Sequence, residues 1–285
     1  MKSVLVVLYG IPRGGVKTWE SQVKNLYHDD VDFAICTNKD GQQKYQINKQ
    51  IKFNWIFNEY DDWYEYYEKN FNHDWKKVFE LGHGTGLYES GKIHFAIKDI
   101  LLKNYLSELL KYEYIVFSRF DQFIVSEIEY FPEKILIPKG EDYFGICDRF
   151  AVVPKKYIVS YLNICDFIDN YLLNQSLPNY LNCETVFKMH LKFSSLLSKI
   201  HRFERNMFTT SQKGDNTNWR VAKYKVYLYK DLYLKYPQEF IASIQNLISN
   251  NESYAFRYFR LLINYIYLKI RIVIGRTIKN IKINF

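Results

Sequence analysis

The stretch Val4-Leu5-Val6-Val7-Leu8-Tyr9-Gly10-Ile11-Pro12-Arg13-Gly14-Gly15 decides the fold class. Its unbroken apolar start reads as a strand buried on both faces, the habit of a parallel sheet. Glycine and proline then force a turn. Residues 18–26 follow with helical spacing, and Asp32-Phe33-Ala34-Ile35-Cys36-Thr37 reads as a second strand. Strand, helix and strand in so short a span make a βαβ unit, whose crossover is right-handed.

Outward from this unit the pattern repeats. Residues 53–57 read as a third strand. Ile93, Ala96, Ile97, Ile100, Leu101, Leu109 and Leu110 recur at helical spacing over 92–112 and lead into the buried strand Tyr114-Ile115-Val116-Phe117-Ser118. Short strands are expected at 135–138 and 149–153, helices at 157–172 and 182–193, a strand at 201–210 and a helix around 240–248. The expected class is α/β, with a mostly parallel Rossmann-type sheet flanked by helices. A domain at 1–235 would be followed by a helical extension at 236–285.

Composition narrows the function. The 285 residues are 48% hydrophobic and 18% aromatic, enough for a large core and too apolar for disorder. The net charge is +8, but it is uneven. No acidic residue follows Glu252, whereas Arg257, Arg260, Lys269, Arg271, Arg276, Lys279 and Lys282 do. Without those seven, 32 of the 39 basic residues stand against 31 acidic ones, so no broad basic groove and no nucleic-acid partner are expected. Cys36, Cys147, Cys165 and Cys183 form no CxxC pair, which points to free thiols in a reducing compartment. The first apolar run is too short for a signal segment, and no stretch approaches the roughly 18 apolar residues of a spanning helix. Gly82-His83-Gly84-Thr85-Gly86 lacks the lysine of a phosphate-binding P-loop.

In open α/β sheets, ligands sit beyond the carboxyl ends of the strands. Polar clusters stand at three such ends: Gly10, Pro12 and Arg13; Thr37 with Asn38; and Arg119, Asp121 and Gln122. A nucleotide-diphosphate donor needs a cradle for the nucleotide and positive charge where the diphosphate leaves. Arg119 and Arg13 could clamp phosphate, and Asp121 could hold Mg²⁺ or Mn²⁺. On spacing alone, Arg119 and Asp121 could equally pair with other charges in a loop.

Four segments carry a resemblance. Gly10-Ile11-Pro12-Arg13, the run Tyr114–Gln122 with its Arg119-Phe120-Asp121, Gly145-Ile146-Cys147-Asp148-Arg149-Phe150-Ala151, and Asn182-Cys183-Glu184-Thr185 stand in an order and spacing similar to bacterial and viral GT-A type glycosyltransferases of lipopolysaccharide and capsule assembly. The resemblance spans about residues 1–220. It implies a GT-A-like fold and transfer of a sugar from a nucleotide-sugar donor to a glycan or lipid-linked glycan acceptor. Donor-binding residues would be Gly10, Pro12, Arg13, Thr37, Arg119, Asp121 and Gln122. Asp148, or failing it Glu184, would take the proton of the acceptor hydroxyl. Arg119 stands where a DxD metal motif has its first aspartate, so a metal would rest on Asp121 alone or be dispensable. Structural alternatives stay open: an Asp148 salt bridge to a nearby arginine, and dipole stabilisation of Glu184 at a helix start. Lone histidines, and the aromatic group Trp63, Tyr64, Tyr66 and Tyr67, read as packing. The segment 213–220 reads as a loop or a lid.

The tail at 255–285, placed on a helix, puts Arg257, Arg260, Asn264, Arg271, Lys279 and Lys282 on one side and Leu262, Ile263, Ile266, Ile270, Val273 and Ile274 on the other. That is the pattern of a basic amphipathic helix on an anionic membrane surface. The enzyme would then work in the cytoplasm, on the inner face of the membrane. The rival is a non-catalytic peripheral membrane or nucleic-acid-binding protein that uses the same tail.

Overall fold

The computed structural model describes residues 3–26, 30–45, 51–128, 133–215, 227–229, 231–250 and 259–283. In chain order the elements begin β1 (Val4–Tyr9), α1 (Gly15–Leu26), β2 (Val31–Thr37), α2 (Lys39–Lys44), β3 (Ile51–Ile56), α3 (Tyr64–Asn70), α4 (Trp75–Leu81) and α5 (Lys92–Leu109). Next come β4 (Tyr114–Arg119), β5 (Gln122–Ile124), β6 (Ile135–Pro138), β7 (Phe150–Pro154), α6 (Ile158–Leu162), α7 (Ile164–Asn170), α8 (Cys183–Phe193) and β8 (Ile200–Phe203). The chain finishes with β9 (Met207–Gln212), β10 (Tyr227–Tyr229), β11 (Leu232–Leu234), α9 (Pro237–Asn250) and α10 (Phe259–Ile283).

These elements form two compact units. The larger takes residues 1–12, 26–120 and 129–203; the smaller takes 13–25, 121–128 and 204–285. The division is therefore interleaved along the chain. The reason is strand pairing: β9 is joined to β5 and to β11, which gathers three distant segments into one sheet.

The larger unit holds a seven-stranded sheet in the order β3-β2-β1-β4-β7-β6-β8. Strands β1, β2, β3 and β4 run parallel; β7 is antiparallel to both β4 and β6, and β6 and β8 are parallel. The mostly parallel sheet with flanking helices, beginning in the 3-2-1-4 order of nucleotide-binding α/β folds, is the Rossmann-type α/β arrangement expected above. Every residue of β1 is buried, as its unbroken apolar run demands. Edge strand β3 instead alternates in exposure.

The helical layer packs on Leu5, Val7, Ile115, Phe117, Ala151 and Val153 through side chains such as Phe95, Ile97, Leu101, Tyr161, Phe167 and Phe187. Trp63, Tyr66 and Tyr67 are buried among them, so the aromatic group is core. Tyr66 donates to Asp99 at 2.6 Å and Tyr67 to the Lys92 carbonyl at 2.7 Å, which settles their hydroxyls. The helix expected over 157–172 is two helices that meet at Asn163. The strand expected over 201–210 is also two, β8 and β9, in different sheets. All four cysteines are buried and free.

The smaller unit has the sheet β10-β11-β9-β5, with Phe123, Phe208, Leu234, Phe240, Ile244 and Leu247 in its core. A buried ion pair joins Arg205 to Glu239 at 3.1 Å, and Glu239 also accepts from the Thr209 amide and hydroxyl, both at 2.7 Å. Such a pair resists removal of one partner, because the other is left charged in a dry site. Arg205→Leu should destabilise the protein by about 3–5 kcal/mol. Thermal unfolding checks this; a melting temperature equal to wild type would refute it.

Candidate active site

The parallel register puts three expected positions side by side. Tyr9 on β1 lies opposite Cys36 on β2 and Arg119 on β4, so Gly10, Thr37 and Arg119 share one carboxyl edge. The Gly10 amide bonds the Cys36 carbonyl at 3.0 Å. Its φ of +98° is a conformation that side chains avoid, and a Cβ there would sit 3.9 Å from the His94 ring. Tyr9 meets that ring edge-on, with centroids 6.3 Å apart.

His94 and Lys98 are four residues apart on α5 and so lie on one face. Lys98 is 1% exposed, and its Nζ has no hydrogen-bond partner among the described residues. The ammonium instead lies 4.3 Å from the Phe187 ring centroid, with Phe95 and Tyr161 also in reach. An aromatic box offsets part of its desolvation.

Asp148 and Arg149 immediately precede β7, and Glu184 begins α8. The Tyr9 hydroxyl donates to the Asp148 carbonyl at 3.0 Å, and the Arg119 amide to the Arg149 carbonyl at 3.2 Å. On the other side, the Ile146 amide donates to the Glu184 carbonyl at 3.0 Å. Asn182 caps α8 by a reciprocal capping box with Thr185. Gly145 sets the separation: a Cβ on it would fall 1.9 Å from the Glu184 carbonyl, so no larger residue allows this approach.

The electrostatics follow from this crowding. Burial pushes the Asp148 carboxyl up, but Lys98, His94, Arg119 and Arg149 outweigh it and hold it below the ordinary value. Glu184 goes the other way: burial first, then the Asp148 charge, push it up to about 7. Burial lowers the pKa of Lys98, against the pull of Asp148. One fixed anion and one carboxyl that titrates near neutrality thus stand among several cations. The site carries a surplus of positive charge, suited to an anionic ligand.

Of the residues expected from sequence, the structure brings Gly10, Arg119, Asp148 and Glu184 together. Pro12 and Thr37 lie in the same unit but around Gly41, where a Cβ would sit 2.1 Å from the Thr37 hydroxyl and 2.7 Å from the Pro12 ring. Thr37 is fully buried in that packing. Arg13, Asp121 and Gln122 belong to the smaller unit. There the Arg13 carbonyl accepts from Trp19 at 2.9 Å, and Gln122 Nε2 donates to the Thr209 hydroxyl at 3.0 Å. Asp121 is 2% exposed, with its Oδ2 4.0 Å from the Lys235 ammonium.

The Asp121 surroundings do not fit a resident Mg²⁺ or Mn²⁺. Such an ion needs several oxygens around it, and here the Asp121 carboxylate faces the Lys235 ammonium. Among the described residues no group of three or more His, Cys, Asp or Glu could hold a metal.

Sequence reading passed over His94, Lys98 and Arg149. Arg149 lay in view beside Asp148. Lys98 had a signal of its own, a charged pair with Asp99 set between Ile97 and Ile100 in an apolar stretch of the helix. His94 was set aside as a structural histidine.

No protein-family model matches the chain, and no curated protein matches it. Among solved structures, it is similar to the apo form of mouse xyloside xylosyltransferase 1 at 11% identity, over 71% of this chain and 84% of that one, with a TM-score of 0.40. A likeness that faint assigns no residue, substrate or reaction to this chain.

The closeness of Asp148 and Glu184 is open to test through Gly145. Gly145→Ala must push the loop from α8, with an overpacking cost of about 1–3 kcal/mol. It should lower the melting temperature and, by separating the carboxylates, move the Glu184 midpoint down toward the ordinary range. NMR titration of the Glu184 carboxyl reads the shift; an unmoved midpoint would show that the glycine does not set the spacing.

Proposed function

We propose that the chain is a glycosyltransferase that moves a sugar from a nucleotide-diphosphate donor to a hydroxyl of a surface glycan, of the lipopolysaccharide or capsule kind. The observation that carries this reading is the pair of carboxyls, Asp148 just before β7 and Glu184 on α8, set among Lys98, Arg119 and Arg149. Half-exposed Arg119 would meet the diphosphate with its planar fork, while buried Arg149 and Lys98 would add field without contact. Glu184 would accept the acceptor proton as the acceptor oxygen bonds the anomeric carbon. The bond to the diphosphate breaks, and the nucleotide leaves with the electron pair. Asp148, anionic and enclosed by cations, would raise the basicity of Glu184 rather than move a proton itself. These assignments reverse the order of preference drawn from sequence, because burial and the Asp148 charge bring Glu184 alone close to neutrality.

The pH dependence tests this directly. A base works deprotonated, so transfer should rise with pH through about 7, the value to which Glu184 is raised. Glu184→Gln should abolish that limb and slow transfer by about 10²–10⁴-fold. Stability should run in the opposite direction. A carboxyl raised above its unfolded value favours the folded state while protonated, and that contribution is lost as pH rises through about 7. Glu184→Gln should therefore melt higher than wild type at pH 8. Release of nucleotide from a panel of nucleotide sugars, with thermal melts, gives both readings. If no donor is cleaved or bound, the transferase reading fails.

The tail supports a membrane-surface setting, on the cytoplasmic side. On α10, Leu261 and Leu268 are buried in the smaller unit's core beside Phe240 and Ile244. The stripe Ile263, Ile266, Tyr267, Ile270 and Ile274 is exposed. The apolar residues of the tail thus form two faces, one spent on packing and one outward. Lys269 and Arg271 lie among the outward stripe's neighbours along the helix, and acidic residues are missing from the sequence after Glu252. Arg257 lies outside the described residues, as do residues 216–220 of the expected loop or lid. No described helix is long and apolar enough to cross a membrane. An exposed apolar stripe beside cations suits an anionic lipid surface. Ile266→Glu with Ile270→Glu should stop co-sedimentation with phosphatidylglycerol-containing vesicles; retained binding would remove the surface role from this helix.

A further inference from the structure

The loop between β6 and β7, in the larger unit, is held in an unusual state. Five described non-glycine residues have positive φ, and three of them are here: Glu141 at 52°, Tyr143 at 43° and Phe144 at 71°. Such backbone is strained and persists only where its surroundings over-determine it. They do so at both ends. Arg202 donates to both oxygens of Asp142 at 2.8 and 2.9 Å, and Asp142 accepts from the Cys147 amide at 3.0 Å. Asn182 donates to the Tyr143 carbonyl at 2.9 Å, and Gly145 is pressed on the first turn of α8.

What this strain achieves is an outward aromatic corner. Phe144 is 85% exposed, more than any other large hydrophobic side chain described, and Tyr180 is 50% exposed. Their rings stand 6.4 Å apart at 71°. Phe144 is four residues before Asp148, and Tyr180 is four before Glu184. A phenylalanine in water is an apolar liability, and here its backbone is held beside the loop-to-α8 contact that carries Glu184.

We infer that Phe144 and Tyr180 form a carbohydrate platform that takes a pyranose ring of the acceptor; this rests on the transferase reading above. A sugar ring has one face of axial C–H groups that packs on an aromatic ring, and a rim of hydroxyls. The corner matches both features: an apolar ring, with the phenol ring of Tyr180 and its hydroxyl beside it. A docking protein or lipid would call for a wider apolar patch, typically several hundred Å². Here the neighbours Glu141, Asp142, Asn182 and Glu184 are polar.

Saturation-transfer NMR with methyl glycopyranosides and their β-1,4-linked disaccharides as probes tests the platform without turnover. Wild type should bind at least one probe through its C–H face. Phe144→Ala and Tyr180→Ala should each weaken that binding about tenfold, an effect of the size of one aromatic stack. Tyr171→Ala, which removes an exposed aromatic ring elsewhere in the same unit, should leave it unchanged. Equal binding by the Phe144 and Tyr180 variants, folded by their melting curves, would overturn the platform, as would no binding of any probe to wild type. A nucleotide-sugar thermal shift on the same wild-type samples separates the two claims. A chain that binds donor but no glycoside loses the platform and keeps the transferase reading; one that binds neither loses both.

Discussion

The larger unit is arranged around a carboxylate deprived of water. Burying Asp148 as an anion costs several kcal/mol unless opposite charges and hydrogen bonds are brought to it. The fold brings them from three directions: His94 and Lys98 from α5, Arg119 from the end of β4, and Arg149 from the adjacent residue. Each of those groups is itself expensive to bury. Lys98, with no hydrogen-bond partner for its Nζ among the described residues, relies on aromatic rings and on the Asp148 charge, while Asp148 relies on Lys98 together with His94, Arg119 and Arg149. That mutual dependence is the kind of buried polar arrangement that fixes one geometry, because any slip leaves a bare charge.

Glu184 inherits its properties from this arrangement. It could have been an ordinary first-turn glutamate, stabilised as an anion by the helix. Instead burial, and after it the Asp148 charge, hold its proton to about 7. The closeness of Asp148 goes with a backbone contact, since Gly145 lets the loop touch α8 where any side chain would force it away. A single missing Cβ thus converts two carboxylates distant in sequence into a coupled pair. The same contact helps hold the strained turn that turns Phe144 to solvent, so the chemistry and the aromatic corner have a common structural origin.

The α/β class, the four parallel strands and the main helices could be read from the chain because their signals are local. Unbroken apolar runs such as 4–8 and 114–118 admit only buried strands, and the spacing in α5 admits only a helix. What could not be read depends on long-range pairing. Residues 201–210 carry no mark that the chain changes sheets after Phe203, and the three-residue strand β5 is too short to show a pattern. In the site, Gly10, Arg119, Asp148 and Glu184 could be found from strand ends and resemblance. Lys98 was hidden because a lysine in an apolar helix is usually solvated, and only the fold shows that this one is not.

The tripeptide Arg119-Phe120-Asp121 shows how a sequence motif can misstate a site. Read as text it is one constellation, a cation and a carboxylate two residues apart. In the fold the chain leaves the larger unit after Phe120 and enters the smaller one at Asp121. Arg119 joins the cations around Asp148, while Asp121 meets Lys235 and passes its carbonyl to the Thr210 amide at 2.8 Å. The two residues thus take up different neighbours. The charge that a divalent ion would bring to a carboxylate is supplied at Asp121 by an ammonium, and the positive field at the candidate site is supplied by arginine and lysine. A diphosphate can be met by such cations through charge-assisted hydrogen bonds alone. Arg119 and the two carboxyls of the larger unit, and not Asp121, are therefore the groups placed to meet such a ligand together.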